Sequence, residues 1–182
     1  MKKIIAIEAQ RLFRSKKHGM EIVALEILKH LKNAAGNDFI YQVVVKEDVD
    51  ECITSSSNFT VAQLPAKAYP IWEQILLPSF IKKLNAALLH CCSNTAPLFC
   101  KTPMVVTIHD VIYMQAGGFK GSAYQNFGNL YRRWIVPKAA KKAKAIISVS
   151  EIAKKEIVAA LNVQANKVHV VYNGLNAIYR PC

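Results

Sequence analysis

Long apolar runs, paired cysteines and glycine-rich phosphate loops are all missing from this chain of 182 residues. No stretch is long enough to span a bilayer, and the apolar start of the chain stops at Glu8, which is too short for a secretory signal. Five cysteines occur without a Cys-x-x-Cys pair, so the histidine and cysteines between positions 90 and 100 lack the spacing of a structural zinc site. An odd cysteine count is typical of a reducing compartment. We therefore expect a cytoplasmic protein that holds no metal ion.

Acidic residues are also scarce, since 12 Asp and Glu stand against 24 Lys and Arg and leave a net charge of +12. Such a surface attracts polyanions, which include nucleic acids, acidic lipid head groups and phosphorylated substrates. Six basic residues fall between positions 132 and 144 without an acid, and on a helix they spread round most of the circumference. Interleaved aromatic residues, a known RNA motif and a basic tail are lacking, so we predict no nucleic-acid partner.

Short apolar runs alternate with longer amphipathic stretches along the chain. This order is typical of an α/β fold with a doubly wound, Rossmann-like parallel sheet of about seven strands and helices on both faces. Predicted strands cover residues 4–7, 39–45, 59–64, 87–92, 104–108, 145–149 and 168–171. Predicted helices cover residues 19–32, 72–84 with a break or restart at Pro78, a segment through Tyr131 and Trp134 to about 142, and 151–161 after the N-cap Ser150.

Further expectations concern the packing of the first helix, the loop after residue 112 and the helix that follows this loop. The first helix should pack through one apolar face, formed by Met20, Ala24, Ile27, Leu28 and Leu31. The stretch 113–121 contains three glycines, and we expect a mobile loop there. The later helical segment keeps its pattern although Pro137 lies inside it.

The most informative pattern is the run Met104–Ile108, which follows Pro103 and ends in His109 and Asp110. A mostly β-branched run of this length is typical of a strand buried on both faces. Because open α/β sheets bind ligands at the carboxyl ends of their strands, an imidazole and a carboxylate at that edge are placed for chemistry. A histidine that only caps the next turn fits the position equally well.

The first connection between a strand and a helix is long and basic. It runs from Glu8 to His18, contains Arg14 among four cations, and leads into Gly19 at the predicted start of a helix. Free backbone N–H groups and the helix dipole favour a phosphate there, and a glycine lets the backbone approach it. The loop is neither Gly-x-Gly-x-x-Gly nor a Walker loop, which argues against a dinucleotide or nucleoside triphosphate site of the usual kind. Close packing at the helix entrance explains a single glycine as well.

Taken together, four segments make the chain resemble the N-terminal half of a family 4 (group 1) glycosyltransferase of the GT-B type. Spread over nearly the whole chain, the four are far more specific jointly than singly. They are His18-Gly19-Met20, Val105 to Asp110, Lys144 to Glu156 with Ser148-Val149-Ser150-Glu151, and Val170 to Gly174 with the trailing Tyr179-Arg180-Pro181.

The resemblance implies two Rossmann-like domains that face each other across a cleft. The N-terminal domain, here residues 1–176, mainly receives the acceptor, and residues 177–182 begin a linker to a C-terminal domain that the sequence does not contain. That missing domain holds the nucleotide sugar, which is the donor substrate, and the family needs neither a metal nor another cofactor. The sugar is transferred with retention to a saccharide or lipid-linked acceptor. We expect the isolated half to be inactive alone.

The resemblance also assigns roles to single residues. The histidine at position 109 lies by the transferred sugar. Our own hypothesis is that Asp110 fixes its ring or caps the following turn. Gly19, with His18, approaches the donor diphosphate. Tyr113 and Arg14 are expected on the acceptor side.

Two broader readings follow from the same features. The basic surface suits an enzyme of bacterial cell-envelope polysaccharide synthesis, peripheral at the inner membrane face, with an anionic membrane surface as partner. The alternative is a non-catalytic binding module that holds an acceptor or a partner subunit. A test for sugar transfer or nucleotide-sugar hydrolysis separates the two.

Overall fold

The computed structural model describes residues 2–34, 36, 38–66, 68–114 and 123–174. Seven parallel strands in this part of the chain form one sheet, in the order β3-β2-β1-β4-β5-β6-β7. The predicted doubly wound α/β fold is confirmed. The strands are β1 Lys3–Glu8, β2 Phe39–Lys46, β3 Phe59–Leu64, β4 Leu88–Cys91, β5 Met104–Ile108, β6 Ala145–Ser148 and β7 Val168–Val170.

Helices connect these strands on both faces of the sheet. The prediction for β3, β5 and the capped helix α5 is confirmed to the residue, and Ser150 caps α5 by accepting a hydrogen bond of 3.1 Å from the Ala153 amide. The helices are α1 Gly19–Ala34, α2 Tyr69–Ile71, a π-helical segment Trp72–Leu76, α3 Leu77–Leu84, α4 Ala123–Lys142 and α5 Glu151–Leu161. Short 3₁₀ turns occur at Ile112–Met114 and Ala165–Lys167.

Two apolar cores, one on each face, hold the layers together. Leu28 of α1 packs in one core, whereas Ile135 of α4 and Ile157 of α5 pack in the other. Adjacent residues at the end of β4 divide between them, since Cys91 belongs to the second core and Cys92 to the first. Because successive side chains of a strand point to opposite faces, this division is what a sheet covered on both sides requires.

Two local expectations were wrong. Ile27 was expected on the packed face of α1 but is 42% exposed, and Glu21 is buried instead. The Glu21 carboxylate turns back to accept a hydrogen bond of 2.8 Å from the His18 amide, which satisfies a free donor at the helix start. The helix predicted to begin at residue 72 begins at Tyr69, three residues earlier. Its restart near Pro78 is real, because α3 begins at Leu77 and carries that proline in its first turn.

Among the described residues, every helix is too short or too polar to cross a bilayer. The predicted mobile loop lies mostly outside the described residues, as does the predicted linker at 177–182. Strand order reverses between β1 and β4, because the chain first builds β2 and β3 on one side and then returns to the other. In sheets of this kind such a switch opens a crevice at the carboxyl ends of the strands.

Candidate functional site

A cleft of about 1090 Å³ opens at this switch point. Gln10 follows β1, Lys46 ends β2, and Ser93 and Thr95 follow β4, so the floor of the cleft is the carboxyl edge of the sheet. Residues 68–71 around α2 add one wall, and α4 adds another through Phe127, Gly128, Asn129, Tyr131 and Arg132. This volume lies at the upper end of the usual range for ligand sites, so the cleft is large enough to hold a substrate of several rings.

The charged residues that line the cleft are mainly cationic. Arg11, Arg14, Lys46 and Arg132 line it, against the acids Glu21 and Asp48. The Glu21 carboxylate is 4% exposed and already engaged with the His18 amide, so it offsets little of this positive charge at the surface. A guanidinium presents several donors in a planar fork, which suits phosphate, carboxylate and sugar oxygens.

The loop that carries the arginines is fastened to β2 and to the segment after it. The Ala9 amide donates to Val44 O at 3.0 Å, and the Asp50 amide donates to Phe13 O at 2.9 Å. Lys17 Nζ closes the loop, since it donates to the Arg14 carbonyl at 3.1 Å and pairs with Asp50 at 2.5 Å. A long connection is therefore held as a defined wall for the cleft.

Two oxygens at the end of β1 are buried without a partner among the described residues. They are Glu8 Oε2 and Gln10 Oε1. The other Glu8 oxygen accepts a hydrogen bond of 2.8 Å from the Gln10 amide. Burial raises the pKa of Glu8 to about 7, the charge of Glu73 adds to this rise, and the Arg11 guanidinium opposes it. Because a buried acceptor without a donor is costly, a ligand that donates an O–H group to the side chain of Gln10, which lines the cleft, would stabilise this floor.

The π-helical segment positions a second carboxylate beside the cleft. In this wide turn the consecutive residues Glu73 and Gln74 both form hydrogen bonds with the hydroxyl of Tyr131 on α4. Glu73 is 1% exposed and accepts hydrogen bonds from Tyr69 at 3.0 Å, Gln74 at 2.9 Å, Tyr131 at 2.5 Å and the Thr95 hydroxyl. Burial raises the pKa of Glu73, and these four donors oppose the rise.

The rings held by Glu73 form part of the cleft wall. Tyr69 and Tyr131 pack edge to face with ring centroids 5.5 Å apart, and the Arg11 guanidinium lies 4.9 Å from the Tyr69 centroid. Burial raises the pKa of the Tyr69 hydroxyl, and the neighbouring Glu73 charge adds to it. Both phenols therefore stay protonated and donate to Glu73.

His109 lies half-buried immediately after β5. Its Nε2 donates a hydrogen bond of 2.9 Å to the Cys92 carbonyl, so in the neutral ring Nδ1 is the acceptor. Its backbone amide donates to Asn94 Oδ1 at 2.7 Å, and Asn94 has a left-handed backbone with φ of 66°. The residue is thus oriented by the turn that follows β4, through Cys92 and Asn94.

Asp110 and Tyr113 serve the turn after His109 in this structure. Asp110 Oδ1 accepts from the Ile112 amide at 3.2 Å, which caps the 3₁₀ turn. Tyr113 is 9% exposed, its hydroxyl has no partner among the described residues, and burial raises the pKa of that hydroxyl. Its carbonyl accepts from Arg133 Nε at 2.5 Å, which joins this turn to α4.

His18 and Gly19 stand at the start of α1. The His18 amide is engaged by Glu21, as described above. A Cβ added to Gly19 would meet no atom within 4 Å, and its φ is not positive. Neither packing nor backbone conformation among the described residues requires a glycine, so the close-packing explanation of this residue fails.

The structure thus brings some predicted site residues together and separates others. Arg14 and His18 line the cleft, whereas His109, Asp110, Tyr113 and Gly19 are not among its lining residues in the described chain. The sequence did not reveal the cluster around Glu73. Glu8 could have been found from the sequence, because an acid directly follows the apolar run of β1. The structure shows that this acid is only 2% exposed. The described residues hold no group of three or more His, Cys, Asp and Glu side chains that could bind a metal.

Solved structures share this fold along nearly the whole chain. HepE from Anabaena, in complex with UDP-glucose, superposes with a TM-score of 0.59 at 16% identity, over 95% of this chain and 44% of its own. The lipopolysaccharide outer core galactosyltransferase WaaB, in its apo form, gives 0.57 at 13% identity, over 95% and 46%. A glycosyltransferase from Rickettsia africae gives 0.52 at 14% identity, over 96% and 44%. The chain therefore spans under half the length of these proteins.

Sequence comparison assigns the family. No curated protein matches the chain in sequence. The model of Glycosyltransferase Family 4 matches residues 17–177, which include α1 and all strands after β1. The chain therefore belongs to Glycosyltransferase Family 4, and its Rossmann-like fold is the one that the solved structures above share.

Proposed function

We propose that this domain binds the acceptor for an enzyme that transfers a sugar from a nucleotide-sugar donor, with retention, to a saccharide or lipid-linked acceptor. The observation that carries the proposal is the cleft at the β1–β4 switch point. Its cationic wall suits an anionic group on the acceptor, and Gln10, which lines its floor, has a buried side-chain oxygen, Oε1, without a partner among the described residues. Sugar hydroxyls are the donors that such a floor lacks.

In this proposal His109 orients or electrostatically stabilises the transferring sugar. The carbonyl of Cys92 holds Nε2, which leaves Nδ1 as the ring nitrogen that can accept a hydrogen bond. Asp110 keeps the following turn in place through the Ile112 amide. Tyr113 and Arg14 act on the acceptor side, Arg14 directly from the cleft wall.

The donor contacts this domain near the start of α1. Gly19 leaves open space where a side chain would stand, which supports close approach of the donor diphosphate, with His18 beside it. A second domain would complete the cleft and bind most of the nucleotide sugar. No metal ion or other cofactor is needed for this chemistry in the proposal. Synthesis of cell-envelope polysaccharide at the cytoplasmic face of a bacterial membrane is the setting that we propose.

Release of nucleoside diphosphate from a panel of nucleotide sugars, with and without acceptor, tests the proposal in the full-length protein. His109→Ala should lower turnover at least about a hundredfold while circular dichroism stays unchanged. His169→Ala is the matched control, because His169 is exposed on β7 and should leave turnover unaltered. Acceptor binding by a protein that turns over no nucleotide sugar would instead establish the binding module.

A further inference from the structure

The outward face of α4 is unusually apolar. Phe127, Leu130 and Trp134 are 56%, 58% and 54% exposed. Their spacing of three and four residues places them on one side of the helix. Ile135 and Val136 show the opposite orientation, because both are fully buried in the core. Three large apolar side chains of α4 are thus exposed rather than packed in the core.

Lysines extend the same face towards the end of the helix. Lys138 and Lys141 follow Trp134 at spacings of four and seven, and both are exposed. Lys138 Nζ lies 3.5 Å from the centroid of the Trp134 ring. No acidic residue occurs anywhere in α4. The sequence pattern had suggested only that basic residues spread round the helix, and burial now shows which of them share a face with the apolar residues.

This face continues beside α4 to the rim of the cleft. Ile71 and Ile75, on the neighbouring helical segments, are 51% and 61% exposed. The hydrogen bond between Tyr131 and Glu73 joins those segments to α4. Ile71 and Phe127 also line the cleft. We call the whole surface the basic–apolar face, and its members are Ile71, Ile75, Phe127, Leu130, Trp134, Lys138 and Lys141.

We propose that the basic–apolar face rests on an anionic lipid surface. Tryptophan and aliphatic side chains partition to the head-group boundary, and lysines reach the lipid phosphates from the same plane. Lysine is depleted from the centres of protein–protein interfaces, where its ammonium group must lose water, so the mixture of Trp134, Lys138 and Lys141 fits a charged bilayer better than a protein. The mechanism needs no helix to cross the membrane.

The inference deepens the proposed function, on which its biological meaning rests. Because Ile71 and Phe127 belong to both surfaces, a bilayer on the basic–apolar face lies at the mouth of the cleft. A lipid-linked acceptor could then enter the cleft with its head group while its chain stays in the membrane. The arginines of the cleft would meet the phosphate of such an acceptor.

Vesicle co-sedimentation of the full-length protein tests the inference. Vesicles of phosphatidylcholine with phosphatidylglycerol should bind the protein, and binding should weaken with added salt, whereas phosphatidylcholine alone should bind it poorly. Lys138→Gln and Lys141→Gln should each lower the partition coefficient about fivefold. Leu130→Ala combined with Trp134→Ala should lower it about tenfold or more.

Matched controls lie on α5, where Ile152 is 73% exposed and Lys155 is also exposed. Ile152→Ala and Lys155→Gln should bind vesicles like the wild type. Equal losses in control and test variants, or no loss in the test variants, would overturn the inference. So would a change of oligomeric state in the Leu130 and Trp134 variant without lipid, because a second copy would then be the occupant of the face.

Turnover with a water-soluble acceptor separates this inference from the proposed function. The α4 variants should keep that turnover while losing vesicle binding. Vesicle binding that depends on the face in a protein without transfer would leave the inference standing and remove the function. Sugar transfer by a protein whose vesicle binding does not depend on lipid charge would support the proposed function and overturn the inference.

Discussion

Tyr131 donates a hydrogen bond of 2.5 Å to Glu73 across 58 positions of sequence. The contact joins α4 to the π-helical segment, and both elements border the cleft. The Glu73 carboxylate also accepts hydrogen bonds from the hydroxyls of Tyr69 and Thr95, so one buried group fixes three side chains that line the cleft. The shape of the cleft therefore depends on a residue that does not itself line it.

Loss of the Tyr131 hydroxyl should loosen this arrangement. Tyr131→Phe leaves the buried Glu73 carboxylate with one donor fewer, and we expect the free energy of unfolding to fall by about 1–3 kcal/mol in urea denaturation. Tyr172→Phe is the control, because Tyr172 is 68% exposed and should cost almost nothing. Equal stability of the two variants would show that the Tyr131 hydroxyl contributes no net stabilisation.

The raised pKa of Glu8 should make stability depend on pH. A folded-state pKa of about 7 exceeds the ordinary value of 4.5, so the contribution of this group is fully present below pH 4.5 and is lost as the pH rises through 7. Glu8→Gln cannot ionise. Its free energy of unfolding, relative to the wild type, should therefore increase by about 3 kcal/mol between pH 4.5 and pH 8.

His90 also makes the stability of the wild type depend on pH, so the effect of Glu8 must be measured as a difference between the variant and the wild type. Burial lowers the pKa of His90 to about 4 from 6.5, so its contribution is lost as the pH falls through that range, opposite to the effect of Glu8. The pH dependences of stability that Glu8 and His90 produce therefore partly cancel in the wild type. Comparison of Glu8→Gln with the wild type at each pH removes the His90 contribution, and a difference that stays constant with pH would refute the pKa of Glu8.

Gly19 offers a test that separates folding from ligand binding. Gly19→Ala meets no atom within 4 Å and requires no unfavourable φ, so stability should be unchanged or rise by about 0.4–1 kcal/mol. The KM for the nucleotide sugar should rise if the diphosphate approaches this backbone, while the KM for the acceptor stays the same. Gly36→Ala, which also meets no atom within 4 Å, should change neither constant. An unaltered donor KM in Gly19→Ala would remove the donor role.

Asn94 orients the histidine through its backbone. Asn94→Gly keeps the left-handed conformation available but removes the oxygen that receives the His109 amide, so we expect a loss of about 1–2 kcal/mol in stability and a fall in turnover. Asn162→Gly is the matched change, since Asn162 is also left-handed, with φ of 48°, and exposed at the end of α5. Similar effects of the two substitutions would mean that the Asn94 side chain orients nothing.

Local patterns predicted the elements that local physics determines. The run Met104–Ile108 could be read as a strand because its side chains are mostly β-branched and, except for Thr107, apolar. Ser150 could be read as a cap because a hydroxyl before an amphipathic stretch satisfies free amides. The position of His109 at the sheet edge followed from the end of that strand.

The rest depends on contacts between distant segments. The sequence around Glu73 does not predict that Tyr131 and Thr95 will contact its carboxylate. A helical pattern instead predicts that Glu73 and Gln74 face solvent. The π-helical segment is equally invisible, because no periodicity marks one widened turn. Ile27 was misplaced since the prediction ignored Glu21, whose contact with the His18 amide draws it inward.

Kinetics of Arg14→Gln in the full-length protein give the sharpest test of the cleft as the acceptor site. Arg14 lines the cleft from a loop fastened by Lys17 and Asp50, so the substitution should leave the fold intact. We predict that the KM for the acceptor rises at least about tenfold, that the KM for the nucleotide sugar stays unchanged, and that Lys155→Gln alters neither. A rise in the donor KM alone, or no change in either constant, would contradict acceptor binding in this cleft.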